Sequence, residues 1–193
     1  METGSSDSIV VLKDNLKMIL EEHVRLINNL EYEELSLLLD YIRQANNVFV
    51  KGVGRSGLAL SGFAMRLIHL GFRASIVGEI TAPAISDGDL LVVASGSGST
   101  HSVIKAAQKA KEQGAKVVCY TTDAGSELSK ISDLTLVLPA ASKYDYEQEV
   151  SKQYAGTLFE QALLLVCDAV FHTLWQTSKQ DAQMMLKRHA NLE

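Results

Sequence analysis

From residue 9 to residue 44, apolar side chains return every three or four positions; from residue 48 onward they gather into short unbroken runs bounded by glycine and polar turns. The first pattern is helical. Val11, Leu12, Leu16, Ile19, Leu20, Val24 and Ile27 predict a helix over residues 9–28. Leu35, Leu38, Leu39 and Ile42 predict a second over 32–44, ended by Asn46-Asn47. Val48-Phe49-Val50 then reads as a buried strand stopping at Gly52, since β-branched and aromatic residues suit a pleated surface. A helix over 58–70, closed by Gly71, leads to a second strand at 74–77 and a third at 89–94. A helix over 100–113 closed by Gly114, a strand at 116–121, a short helix over 126–130 and a strand at 134–138 follow. A long apolar helix over 157–176 and a last one over 179–189 complete the chain.

Strands alternate with helices, and each strand is apolar throughout rather than at every second residue. Both features predict an α/β fold of three layers, α/β/α, around a mostly parallel five-stranded sheet covered on both faces. No repeat, low-complexity tract or linker interrupts residues 1–193. They are expected to form a single domain, with N-terminal helices at about 9–45, an α/β core at about 47–140 and C-terminal helices at about 157–190. Ligands of such sheets sit outside the carboxyl ends of the strands, so the residues after strands one, three and five are where chemistry is expected.

Composition narrows the choice of ligand. The 193 residues are 47% hydrophobic and 21% charged with 2 prolines, a globular balance that excludes a disordered or fibrous chain. Such a length buries about 70% of its unfolded surface without a disulfide or metal staple. A net charge of -5 offers no footprint for nucleic acid or an anionic membrane. The N-terminal helices add Glu21, Glu22, Glu31, Glu33 and Glu34, which repel nucleic-acid phosphates. A small anion can still be held by backbone dipoles. Cys119 and Cys167 stand among apolar residues at no metal or redox spacing and are expected as buried free thiols of a reducing compartment. The polar start, residues 1–7, lacks the basic and apolar regions of a secretory leader. The longest apolar run, Ala162 to Cys167, is far short of the ~20 residues that span a bilayer. A cytoplasmic location without membrane contact is expected.

Two loops suit an oxyanion. Gly52-Val53-Gly54-Arg55-Ser56-Gly57 runs from the first strand straight into a helix. Its glycines permit a tight turn and close backbone approach, and the helix start supplies free N–H groups and a positive dipole end. The same letters satisfy the dinucleotide fingerprint G-x-G-x-x-G, with Glu79 where a ribose-binding acid sits. The third strand argues against that reading, because it ends in Ser95-Gly96-Ser97-Gly98-Ser99-Thr100, again at a helix start. Its hydroxyls and glycines offer O–H and N–H donors to one anion, a second cradle that a single phosphate uses and a dinucleotide does not. One of Ser99 and Thr100 is expected to cap the helix. The nucleoside-triphosphate pattern G-x-x-x-x-G-K-[ST] is absent. Arg55 can pair with a phosphate, but an arginine beside a tight turn serves as readily as a structural or solvated charge, and it stays outside the expected site.

The glycine loop, the helix Phe63-Ala64-Met65-Arg66-Leu67-Ile68-His69-Leu70-Gly71 and the loop from Ser95 to Thr100 resemble the sugar isomerase (SIS) domain. With Gly156-Thr157-Leu158-Phe159-Glu160-Gln161 and the ending Arg188-His189-Ala190-Asn191-Leu192-Glu193, the chain from about Val48 onward is similar to the 6-phospho-3-hexuloisomerase family. The resemblance implies a flavodoxin-like topology and an isomerase that interconverts 3-hexulose 6-phosphate and fructose 6-phosphate in formaldehyde fixation by the ribulose monophosphate pathway. It implies no metal or organic cofactor, a phosphosugar as the small-molecule partner, and a homotetramer with sites near subunit interfaces. It assigns Ser56, Ser95, Gly96, Ser97, Gly98, Ser99 and Thr100 to the substrate, chiefly its phosphate, and Glu160 to proton transfer. Another ketose or aldose phosphate isomerase, or a non-catalytic sugar-phosphate sensor, are the alternatives. Ser99 stands where the family carries Glu, and Gln153-Tyr154-Ala155 where it carries Pro-Met or similar. Both departures are expected to face the sugar.

Moving a carbonyl from C3 to C2 needs one base that reaches both carbons and a group that steadies charge on the oxygens. A carboxylate among apolar side chains is a stronger base than one in water, which suits Glu160 on a helix rich in Leu and Val. Local sequence also allows a structural role, since Thr157-Leu158-Phe159-Glu160 spells a capping box. His23, His69, His101 and His172 fall within expected helices and read as packing or surface. His189 lies in the family-like ending. A cyclised sugar needs a proton to open, an imidazole titrates in the useful range, and His189 is expected to reach a neighbouring subunit's site.

Overall fold

The computed structural model describes residues 3–141 and 150–192; Met1, Glu2 and Glu193, which belong to terminal stretches read above, lie outside it. In chain order the elements are α1 (Thr3–Ile27), α2 (Tyr32–Gln44), β1 (Val48–Lys51), α3 (Arg55–His69), β2 (Ala74–Ile76), β3 (Leu90–Ala94), α4 (His101–Glu112), β4 (Lys116–Thr121), α5 (Glu127–Ile131), β5 (Leu134–Val137), α6 (Thr157–Thr177) and α7 (Ala182–Leu186). The sheet order is β2-β1-β3-β4-β5, and all four pairings are parallel. The direction of winding reverses between β1 and β3, and that reversal opens a crevice at their carboxyl ends.

Alternate residues of each strand feed two cores. Val48, Val50, Leu90, Val92, Val118, Tyr120 and Leu136 face α2, α3 and α6. Phe49, Leu91, Val93, Val117 and Cys119 face α4 and α5. Because both faces are covered, the strands are apolar on both sides along most of their length, and β3 is apolar and buried at all five positions, as expected of a three-layer sandwich. Cys119 and Cys167 are buried and free. Gly71 (φ +95°) and Gly114 (φ +81°) close α3 and α4 in the left-handed region that glycine enters without a Cβ penalty. At 21 residues α6 is long and apolar enough to cross a bilayer on composition alone. Its Leu158, Phe159, Ala162, Leu163 and Val170 are instead part of the core with α3.

Both ends of the chain depart from the expected pattern. α1 begins at Thr3, not Ile9, and its apolar spacing mostly faces outward. Leu12, Leu16, Leu20 and Val24 are all more than half exposed, while Glu22, His23 and Leu26 are buried. The last helix is five residues, not eleven: Asp181 caps it by accepting from Met184 N–H (2.8 Å), and after Leu186 the chain winds in tighter i→i−3 turns at Arg188 and His189. The Arg188 side chain is drawn inward, donating to His69 O (2.9 Å) and Gln180 Oε1 (2.6 Å).

The amino ends of the strands are tied by carboxylates. Asp89 accepts from the backbone and side chain of both Asn47 and Ser86. Asp133 accepts from Val117 N–H (2.8 Å), Lys111 Nζ (2.8 Å) and Lys116 Nζ (3.3 Å), joining the end of α4, the start of β4 and the turn into β5. Burial pushes the Asp133 carboxyl up, but the Lys111, Val117 and Lys116 contacts outweigh it and hold it below the ordinary value of 3.8. A depressed folded value means the folded state favours the ionised form, so its stabilisation is present above about pH 3.8 and lost as pH falls through the folded value. The melting temperature of Asp133→Asn is expected to lie below wild type at neutral pH, with the gap closing toward pH 2. A constant gap across that range would show that the charge is not what Asp133 contributes.

Candidate active site

At the carboxyl ends of β1 and β3 the N-termini of α3, α4 and α6 converge on a cleft of about 350 Å³. The first wall is a turn too tight for side chains. A Cβ on Gly52 would lie 2.8 Å from Gly57 N, and one on Gly57 would lie 2.9 Å from Gly52 O. That closeness, with Gly54 at φ +61° as the N-cap of α3, delivers Ser56 to the cleft in the first turn of the helix.

The second wall is the serine loop. Gly96 O accepts from Thr122 N–H (2.9 Å), Thr121 Oγ1 (3.0 Å) and Thr122 Oγ1 (2.9 Å), and Gly98 O accepts from Leu128 N–H (3.1 Å). With its carbonyls turned to β4 and α5, the loop leaves the N–H groups of Gly96 and Ser97 without a protein acceptor among the described residues. Thr100 is the N-cap of α4, but its hydroxyl does not cap; it pairs with Ser95 Oγ (2.8 Å), while Ser97 Oγ pairs with Ser99 Oγ (2.8 Å). Hydroxyls paired to one another rather than to the fold are donors that an anion can recruit.

The third wall is the start of α6. Its N-cap is Gly156, so Thr157 is the first helical residue and the capping box read from the sequence does not form. Thr157 Oγ1 donates to Tyr154 O, and Glu160 N–H donates to Gly156 O (3.2 Å). The Glu160 side chain is thereby free to line the cleft, 27% exposed, with Arg55 Nη1 3.2 Å from Oε2. Beside it stand the Arg55 guanidinium and the open cleft, not the closed apolar shell that the composition of α6 suggests. Ala155 lines the same wall at φ +49°, a strained conformation for a residue with a Cβ.

The structure therefore brings Ser56, Ser95, Gly96, Ser97, Thr100 and Glu160 together. Ser99 is exposed and outside the cleft lining, and Gly98 packs beneath the loop against Ser126. Of the two departures from the family pattern, Ala155 faces the cleft and Ser99 does not. Arg55, which the sequence leaves outside the expected site, reaches it through its ion pair with Glu160, and its one sequence signal is its place inside the glycine turn. Glu79, the acid of the dinucleotide reading, borders a separate cavity between the β2–β3 connection and α4.

His189 is elsewhere. Its ring stacks on His69 at 3.9 Å between centroids, and burial first, then His189 and Arg66, push His69 below the ordinary histidine value. His69 is 13 positions from Ser56 on α3, a rise of roughly 20 Å, so His189 does not enter the cleft of its own chain.

This geometry has close relatives. The SIS domain family matches residues 41–172. The 3-hexulose-6-phosphate isomerase of Mycobacterium gastri is 44% identical over 182 residues, covering 94% of this chain and 92% of that one. The chain belongs to the SIS-domain 3-hexulose-6-phosphate isomerase family. A second member, from Bacillus subtilis, is 43% identical over 162 residues, 83% of this chain and 88% of its own. A Methanococcus jannaschii protein, whose crystal structure was taken to infer a function of 3-hexulose-6-phosphate isomerase, superposes with a TM-score of 0.81 at 34% identity over 93% of this chain and 99% of that one.

Proposed function

We propose that this chain interconverts 3-hexulose 6-phosphate and fructose 6-phosphate, the isomerase step of the ribulose monophosphate pathway, as a cytoplasmic homotetramer of single-domain subunits. The observation that carries the reading is the convergence of the Glu160 carboxylate with the donors of Ser56, Ser95, Gly96, Ser97 and Thr100 on one cleft. It fits a substrate with a phosphate at one end and an enolisable carbon at the other.

Glu160 removes the proton from C2 of the hexulose and the electrons form a C2=C3 enediol(ate) as the C3 carbonyl oxygen takes up charge; the proton of the C2 hydroxyl passes to that oxygen, and the same carboxylic acid returns its proton to C3. The carbonyl is then at C2, and no external oxidant or reductant is consumed. Ser56 and the Ser95–Thr100 loop bind the phosphate at two helix N-termini. Arg55 pairs with Glu160 in the unliganded site; a bound phosphate competes for its guanidinium and releases the carboxylate for proton transfer.

His189 serves the cleft of a neighbouring subunit, donating the proton that opens the fructose 6-phosphate ring. Two observations support this assembly. His189 is held at the opposite end of α3 from its own cleft, and α1 presents Leu12, Leu16, Leu20 and Val24 as an exposed apolar stripe of the kind that marks interfaces.

The test is a coupled assay of 3-hexulose 6-phosphate turnover, run forward and in reverse. His189→Ala is expected to slow the reverse direction by about 10²-fold, the usual scale for loss of a general acid. Mixed assembly of His189→Ala chains with Glu160→Gln chains is expected to recover activity, because some clefts then hold both native groups. An unchanged rate in His189→Ala removes this histidine from the mechanism. Turnover of a different ketose phosphate alone would reassign the substrate.

A further inference from the structure

Glu22 is a charged residue that the mechanism above does not use, and it is only 1% exposed. It sits on the inward face of α1, and its carboxylate accepts three hydrogen bonds from one short segment. The donors are Ser151 Oγ (2.7 Å), Lys152 N–H (2.7 Å) and Gln153 Nε2 (2.9 Å). Ser151 Oγ in turn accepts from Gln153 N–H (3.1 Å), so residues 151–153 are wrapped around a single anion. Arg25 adds its charge at 4.0 Å. Burial pushes the Glu22 carboxyl up, but Ser151, Gln153, the Lys152 amide and Arg25 outweigh it and hold it below the ordinary value of 4.5, so it is ionised at neutral pH.

The wrapped segment leads directly into the third wall of the cleft. Two residues on is Ala155 at φ +49°, then the N-cap Gly156, then the first turn of α6 with Glu160. A non-glycine residue in that conformation persists only where its surroundings over-determine it. On the α6 side, Thr157 holds Tyr154 O through both its N–H and its hydroxyl. On the other side the hold is Glu22.

We propose that Glu22 is a positioning residue of the active site, a buried anchor on α1 that fixes residues 151–153 and so sets the strained Ala155-Gly156 wall and the angle at which Glu160 meets the substrate. This deepens the isomerase reading and rests on it for the kinetic part of the test.

Glu22→Leu keeps the volume and removes every acceptor. Glu22→Gln keeps the shape, and with a flip of the Gln153 amide it restores a neutral version of the network. In the leucine variant, kcat for 3-hexulose 6-phosphate is expected to fall by roughly ten- to a hundredfold, the scale of a catalytic group displaced by about 1 Å. KM is expected to stay within about threefold of wild type, because the phosphate loops lie on the other walls. The glutamine variant is expected to recover most of the loss. Amide hydrogen exchange, which needs no substrate, is expected to be faster over residues 154–160 in the leucine variant and unchanged in β3 and β4.

A lowered melting temperature with native kcat and native exchange over 154–160 overturns the proposal, leaving Glu22 a purely structural anchor. Failure of the glutamine variant to recover kcat also overturns it. If the leucine variant does not fold, Ser151→Ala/Gln153→Ala cuts the same contacts from the loop side and is read by the same two criteria. A wild-type protein inactive on 3-hexulose 6-phosphate overturns the assigned substrate, and exchange over 154–160 then decides the role of Glu22 by itself.

Discussion

Replacing Glu160 by Gln is expected to lower isomerisation by about 10³-fold or more, the range associated with removing a positioned general base. The folded protein should scarcely notice. The one ion pair at stake joins side chains that are 55% and 27% exposed, and partly exposed pairs of this kind contribute about 0–1 kcal/mol after screening. For a chain of this length that corresponds to a melting shift of no more than about 4 °C. Gln at this position leaves the α6 backbone bond from residue 160 to Gly156 O in place. Inorganic phosphate should still bind, since Ser56 and the Ser95–Thr100 loop are untouched and Arg55 is relieved of its carboxylate partner. Loss of turnover with native melting and native phosphate binding isolates proton transfer as the missing step. Turnover within about threefold of wild type would move the base elsewhere in the cleft.

How much of this was legible in the sequence depended on whether a feature is local. The strands are, because a short β-branched run bounded by glycine has few other uses, and β1 to β5 fall where the pattern placed them. The two loops are, because glycines and serines at a helix start advertise free donors. The cap of α6 was not: T-x-x-E fits two registers differing by one residue, and the conformation of Gly156 decides between them. Arg55 and Glu160 lie 105 positions apart, and nothing near either residue announces the other. Glu22 read as one acid in an acidic helix because its partners, Ser151 to Gln153, come about 130 positions later. The spacing of apolar residues in α1 gave a helix correctly but said nothing of which face the rest of the chain covers. What the sequence withheld was contact across long separations, and those contacts join α1 and α3 to the wall of the cleft that carries Glu160.

The same division runs through the sheet. Asp89 and Asp133 brace the amino ends of the strands, where polar groups are spent on one another. At the carboxyl ends the serine loop keeps N–H groups and mutually paired hydroxyls available. Groups spent on holding the fold and groups left available to a ligand are thus placed at opposite edges, except at the seat of the serine loop.

Gly98 is that seat, and Gly98→Ala is expected to harm both properties at once. Gly98 has φ +59°, which for alanine costs about 1–3 kcal/mol when the surroundings enforce it. A Cβ there would also run into Oγ and Cβ of Ser126 and stand 3.2 Å from Thr121 Oγ1. Ser126 cannot swing aside freely. It is the buried N-cap of α5, accepting from Ser129 N–H (3.3 Å) and paired with Ser129 Oγ (2.9 Å). Overpacking adds about 1–3 kcal/mol, so the combined loss is about 2–6 kcal/mol, a fall in melting temperature of roughly 5–20 °C. The loop that rises to relieve the clash loses its seat on α5 through Gly98 O and Leu128 N–H, and with it the aim of the Gly96 and Ser97 N–H groups. The KM for the sugar phosphate is therefore expected to rise by tenfold or more, about 1.4 kcal/mol of lost binding. Adding Ser126→Gly separates the two causes. It clears the colliding atoms at a capping cost of only a few tenths of a kcal/mol, so the double variant should be more stable than Gly98→Ala alone and should regain part of its affinity, keeping only the backbone strain. A double variant no better than the single one would mean that strain at φ +59°, and not the collision with Ser126, is why glycine is required; a native KM in Gly98→Ala would mean that the serine loop does not hold the phosphate.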